Sequence, residues 1–184
     1  GAMYRAVTLE VLRRGLDPAD GAAAARVADE VELGFDEEGV VIDGRSAARE
    51  VRSAEVDGAV SVVAAHPEVR RALVAQQRRV AERLGGAVAE GRDVTTVVFP
   101  RAEHRFFLDA SPAERARRRA AQLGAPEREA EIRRGIEERD RIDSTREDSP
   151  LVLGEGVTRI DTDPLDADGV LAELLRRVRG EGPR

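Results

Sequence analysis

Arg92 and Asp93 stand side by side in Glu-Gly-Arg-Asp-Val-Thr-Thr-Val-Val-Phe-Pro (residues 90–100), between apolar runs. Charged residues in such surroundings need partners or a ligand. Other arginines sit near acids in the same way. Asp143 and Arg146 lie three apart in Glu-Arg-Asp-Arg-Ile-Asp-Ser-Thr-Arg (138–146), and Arg115, Arg117, Arg118 and Arg119 crowd one short stretch. Four neighbouring arginines repel one another unless glutamates neutralise them or an anion visits. The guanidinium is a permanently charged planar fork that matches phosphate and carboxylate. The chemistry indicated is therefore anion binding. The competing reading is solvated surface pairing, which contributes little to stability.

What the chain lacks narrows this further. All 30 basic residues are arginine, so no lysine can act as a Schiff base, a general base or a phosphate-loop cation. Cysteine is absent, which removes disulfides, thiol catalysis and thiolate-bound metals. The two histidines, His66 and His104, are far apart in sequence and are read as structural, so no histidine metal site is expected. A net charge of −6 argues against general nucleic-acid binding. No apolar run of about 18 residues is present and no signal peptide opens the chain, so a membrane is not expected and the cytoplasm is. A monomer is the expected state.

These arginines must be positioned by regular elements. With 184 residues, 41% hydrophobic but only 3% aromatic, the chain suits one domain with a small insert and an aliphatic core. Apolar spacing predicts helices over 2–14, 18–30, 46–65 (broken at Arg52-Ser53) and from Pro67 to Gly85. Residues 31–35 and 40–44 predict a hairpin around Asp36–Gly39. Residues 86–90 predict a short buried strand and 97–100 a brief extended piece. Residues 104–111 predict the best strand, running into a helix with Ser111 as N-cap, Pro112 at its first position and Glu114 completing a capping box. A charged helix follows the Gly124-Ala-Pro126 break, then a strand over 157–163 and a helix over 166–179. Strands alternating with helices indicate an α/β fold with a mostly parallel sheet, and ligands bind at the strand ends of such sheets.

Five stretches, in order, resemble bacterial cytidylate kinases: Gly-Ala-Met-Tyr-Arg at 1–5, Val51–Arg78, Glu-Gly-Arg-Asp at 90–93, Phe106–Leu123 and Glu138–Arg146. The resemblance implies an α/β, P-loop nucleoside monophosphate kinase-like parallel sheet with helices on both faces. It implies transfer of the ATP γ-phosphoryl group to CMP or dCMP, with Mg2+ accompanying ATP. It implies a core over 1–26, 61–114 and 131–184, a CMP-binding insert over 27–60 and a lid over 115–130. Residue by residue, it puts Arg5 and Arg92, joined by Arg70, at the CMP phosphate. Ser61, Arg70 and Asp93 fall at the cytosine and Asp143 at the pentose hydroxyls. Arg139 and Arg146 fall near the CMP or the transferring group, and Arg118 in the lid over the ATP phosphates. No metal ligand is identified in the chain.

The family also begins with a strand and a lysine-bearing glycine-rich loop. Nothing here matches G-x-x-x-x-G-K-[ST]. The expectation is a chain that starts after that strand and loop, through a misassigned gene start or a truncation, with phosphoryl transfer impaired. The alternative is an inactive CMP-binding fragment. Thr95-Thr96 stand where the family usually has glycine-threonine, which puts the local backbone in question.

Overall fold

Capping side chains set most of the helix starts. Asp20, Ser53, Ser111 and Asp166 each accept a hydrogen bond from the backbone amide three residues on. Each satisfies one of the orphan donors of a first helical turn. The computed structural model describes residues 1–145 and 153–180, without the side chains of Ile142, Asp143 and Thr145. It divides into two compact units, Gly1–Gly91 and Arg92–Arg184.

The first unit holds helices α1 (Ala2–Arg13) and α2 (Gly21–Glu30), strands β1 (Leu33–Phe35), β2 (Val40–Ile42) and β3 (Arg45–Ser46), and helices α3 (Ala54–Val63) and α4 (Pro67–Arg83). α1 packs on α2 and α3, and α2 on α4. Their apolar stripes, with Val7 and Val11 of α1, Val27 of α2, Val56 and Val63 of α3, and Val69 and Leu73 of α4, close over Leu33 and Val40 of the hairpin. Each such side chain, fully buried, contributes about 1.5–3 kcal/mol. The three strands form an antiparallel sheet in the order β1-β2-β3. β1 and β2 join through Asp36, whose Oδ1 accepts the Glu38 and Gly39 amides, both at 2.9 Å.

Gln76 ties this unit together from inside. Its Nε2 donates to the carbonyls of Ala28 (2.6 Å) and Val31 (3.0 Å), and its Oε1 accepts the Leu33 amide at 3.3 Å. The C-terminal carbonyl of α2 and the first amide of β1 thus find partners in a dry interior, where unpaired groups are costly. His66 links the chain before α2 to the start of α4, its Nε2 lying 2.8 Å from the Pro18 carbonyl.

The second unit contains strands β4 (Phe106–Asp109) and β5 (Thr158–Asp161), and helices α5 (Pro112–Gln122), α6 (Glu129–Thr145) and α7 (Ala167–Val178). β4 and β5 run parallel, with Leu108 opposite Ile160 and Asp109 opposite Asp161. α5 packs along α6. At the head of α5 the capping box is half formed. Ser111 Oγ accepts the Glu114 amide, but the Ser111 amide donates to Asp163 Oδ1 at 2.8 Å, and Glu114 turns to arginines instead. No helix among the described residues is long and apolar enough to cross a membrane.

Three expectations need correction. Residues 86–90 are not a buried strand. They are exposed, Gly86 sits at φ 147°, and they belong to neither sheet, so no neighbouring strand supplies the ladder that would make them one. Residues 97–100 are not extended at their start. Val94–Val98 form a π-helical turn in which the Asp93 carbonyl gathers the amides of Thr96, Val97 and Val98. The second helix begins at Gly21, behind its Asp20 cap, and not at Pro18.

Candidate functional site

In the first unit the site residues lie along α3. Arg5, on α1, reaches the first turn of α3. Its Nη1 donates to Asp57 Oδ1 at 2.5 Å and to the Val51 carbonyl at 3.0 Å. Asp57 and Ser61 are four residues apart on α3 and so share a face, which sets exposed Ser61 on the side that Arg5 approaches. Arg70, on α4, serves the other end. It is only 6% exposed, donates to the Ala64 carbonyl at 3.2 Å, and holds its guanidinium carbon 5.7 Å from the centroid of the Tyr4 ring. That contact is a cation–π pair. Since Tyr4 precedes Arg5, one turn of α1 organises both arginines.

In the second unit the centre is the carboxyl end of β4. Arg115, one turn into α5, makes a two-point fork with Asp140 of α6, Nη1–Oδ1 at 3.0 Å and Nη2–Oδ2 at 2.5 Å. Its Nε donates to the Ala110 carbonyl at 3.0 Å, just past the strand. The Asp140 hydrogen bonds raise the Arg115 pKa above its ordinary value, outweighing partial burial. The same Asp140 Oδ1 lies 3.8 Å from Arg92 Nη1. Two arginines and one carboxylate therefore meet where a parallel sheet presents its ligand side.

Asp93 follows Arg92 and is 8% exposed. Its carbonyl anchors the π-helical turn, and Thr96 Oγ1 donates to that carbonyl at 3.3 Å. Neither Thr95 nor Thr96 has a positive φ, so the threonine pair needs no glycine conformation. The hydroxyl of Thr96 buttresses the turn where the sequence put its geometry in question.

Arg118 is held down on three sides. It pairs with Glu114 at 2.7 Å and donates to the carbonyls of Thr162 (2.5 Å) and Leu165 (3.1 Å). Arg117 also binds Glu114, and the two arginines hold that carboxyl near pKa 2, far below the ordinary 4.5. Arg119 turns to Gln122. The arginine cluster of α5 is thus neutralised by acids and carbonyls, as surface pairing requires, except that Arg115 faces the strand end. Arg139 is exposed on α6, one residue before Asp140. The Asp143 side chain and all of Arg146 lie outside the described residues.

The structure therefore brings Arg5 to the face of α3 that carries Ser61, and Arg92 to Asp140. The pairing of Arg115 with Asp140 was not read from the sequence. The partners are 25 residues apart on different helices, and only Asp140's nearness to other charged residues marked it.

A family model described as cytidylate kinase matches residues 1–180. The bifunctional pantoate ligase/cytidylate kinase of Prochlorococcus marinus strain MIT 9303 is 46% identical over 192 residues, covering 100% of this chain and 39% of that protein. The protein of the same description from Synechococcus sp. strain CC9902 is 43% identical over 189 residues, covering 97% of this chain and 39% of its own. The cytidylate kinase of Limosilactobacillus reuteri strain DSM 20016 is 40% identical over 187 residues, covering 97% of this chain and 82% of its own. The chain thus spans about two fifths of the bifunctional relatives.

Proposed function

The chain belongs to the cytidylate kinase family, and from that premise we propose that it transfers the ATP γ-phosphoryl group to CMP or dCMP in the cytoplasm. The family match across residues 1–180, which takes in every arginine motif, carries the reading. Phosphoryl transfer needs in-line positioning and neutralisation of charge on the equatorial oxygens, and no covalent residue. Arginine forks supply both, which suits a chain whose basic residues are all arginine.

In this reading Arg5 and Arg92 bind the acceptor phosphate together with Arg70. Cytosine offers an amino donor with ring nitrogen and carbonyl acceptors. The Asp93 carboxylate takes the amino group, while Ser61 and Arg70 donate to the acceptors. Asp143 binds the pentose hydroxyls. Arg139 and Arg146 balance charge on the transferring group, and Arg118 closes on the ATP phosphates. Residues 27–60 form the CMP-binding insert, 115–130 the lid, and 1–26, 61–114 and 131–184 the core.

The Mg2+ that accompanies ATP has no dedicated cage among the described residues. Asp109, Asp161 and Asp163 gather at the strand ends, but they engage Arg159, the Asp163 amide and the Ser111 amide. Magnesium in such enzymes is held largely by phosphates and water.

The test is CMP-dependent ADP release by the full-length protein, with AMP and UMP as comparison acceptors and calorimetric titration of CMP alongside. Release with CMP above AMP and UMP supports the reading. CMP binding without release reduces it to a binding protein, and neither binding nor release overturns it.

A further inference from the structure

We propose that Glu114 and the loop after β5 form a latch that competes with ATP for Arg118, so that Glu114 restrains ATP binding. This rests on the ATP role of Arg118 proposed above.

The Arg118 guanidinium is almost fully committed within its own unit. An arginine has five N–H donors. Here Nε donates to Glu114 Oε1 at 2.7 Å, Nη1 to Thr162 Oγ1 at 3.3 Å, and Nη2 to the carbonyls of Thr162 at 2.5 Å and Leu165 at 3.1 Å. That set leaves no parallel pair of donors for a phosphate. A two-point grip on ATP therefore takes Arg118 off at least part of this cradle.

The cradle does not depend on Arg118 for its shape. The Leu165 amide donates to the Thr162 carbonyl at 3.1 Å, and the amide and hydroxyl of Thr162 both donate to the Asp109 carbonyl, at 2.8 Å and 2.9 Å. The loop stays built when the guanidinium leaves, as a resting place must. Its carbonyls and hydroxyl are neutral acceptors, and ionised phosphate oxygens bond roughly twice as strongly. Glu114 is different. It is the one full negative charge among these partners, four residues before Arg118 on the same helix face. It is the strongest rival of a phosphate for this side chain, and it can be replaced without touching the loop.

The experiment measures the ATP KM at saturating CMP, and the ATP dissociation constant by calorimetry, in the full-length protein carrying Glu114→Gln, Arg118→Met, or both. Glu114→Gln is expected to lower both ATP constants about two- to fivefold, the range of a part-exposed ion pair, with the CMP KM unmoved. In the Arg118→Met background it changes them by less than about 1.5-fold, because the side chain it restrains is gone. Glu114→Asp keeps the charge on a shorter arm. It is expected to lower both constants about twofold, and it carries the test should the glutamine variant fold poorly. ATP constants that rise or stay level in the Glu114 variants overturn the proposal, since Glu114 then orients Arg118 toward ATP or leaves it alone. An equal fall on Glu114→Gln in both backgrounds overturns it too, as a general effect of added positive charge. If Arg118→Met leaves both ATP constants unchanged, the ATP role of Arg118 itself fails. If the parent protein releases no ADP with CMP, the functional reading fails first.

Discussion

Arg5 and Asp57 form a direct ion pair, Nη1 to Oδ1 at 2.5 Å, between α1 and the first turn of α3. The Val51 carbonyl binds the same nitrogen at 3.0 Å. An arginine proposed to hold a substrate phosphate thus has a carboxylate on it already. A phosphate dianion brings more charge and more acceptor oxygens than a carboxylate, so it can replace Asp57, but the exchange reduces the net gain.

Asp57→Asn is therefore expected to tighten CMP binding. The pair is substantially exposed, at 34% and 57% for the two side chains. Such pairs contribute at most ~1 kcal/mol, or about fivefold in a binding constant. The CMP KM should fall by a factor within that limit, the thermal midpoint should barely move, and raising salt should shrink the difference. A higher KM in the variant would show instead that Asp57 orients Arg5.

Gln76→Leu should destabilise the protein although it adds an apolar side chain to an apolar interior. It strands the Ala28 and Val31 carbonyls and the Leu33 amide, three groups now satisfied by one amide. Each buried orphan costs about 1–3 kcal/mol, partly offset by burial of the leucine, so a net loss of about 2–4 kcal/mol is expected. Urea unfolding measures it. A variant as stable as the parent would mean that water or backbone adjustment satisfies those groups.

What the sequence made legible follows from range. Ser111, Pro112 and Glu114 mark a helix start within four residues, and the helix begins there. Arg92-Asp93 stand out because their neighbours are apolar. Asp43-Gly44 is an equally local signal. Both residues have positive φ and close the two-residue turn between Ile42 and Arg45, the geometry that an Asp-Gly pair favours, and strand β3 follows it where helical spacing alone points to a helix from residue 46. Other features were not legible because they depend on partners elsewhere in the chain. Residues 86–90 look like a strand by composition, yet strands exist only in pairs. The Arg115–Asp140 fork joins two helices at a spacing that no periodicity reports. Glu114 has the right place for a capping box, but Asp163, 52 residues away, takes the Ser111 amide.

Arg118→Met separates a structural role from a substrate role. In this structure Arg118 satisfies the Thr162 and Leu165 carbonyls beyond β5. Losing those bonds should cost about 1–3 kcal/mol of stability. If Arg118 also closes on ATP as proposed, the ATP KM rises at least tenfold while the CMP KM changes little. Destabilisation with an unchanged ATP KM would confine Arg118 to structure.

Glu114 gives the protein a defined acid sensitivity. Its carboxyl is held at about pKa 2 by hydrogen bonds from Arg117 and Arg118. A folded-state pKa below the unfolded value means that the unfolded chain binds the proton first as pH falls. The stabilisation is therefore fully present above about pH 4.5 and is lost as pH drops through about 2. Placement in the first turn of α5, where the helix dipole also favours the anion, acts in the same direction. The thermal midpoints of parent and Glu114→Gln should differ by a constant amount from neutral pH to about pH 5, with the parent higher. The gap should then close between about pH 4.5 and about pH 2 as the parent carboxyl takes up its proton. Glu173, held at about 2 by Arg176 and Arg177, is present in both proteins and cancels in the comparison. A gap that persists undiminished to pH 2 would mean that packing and not charge makes the difference.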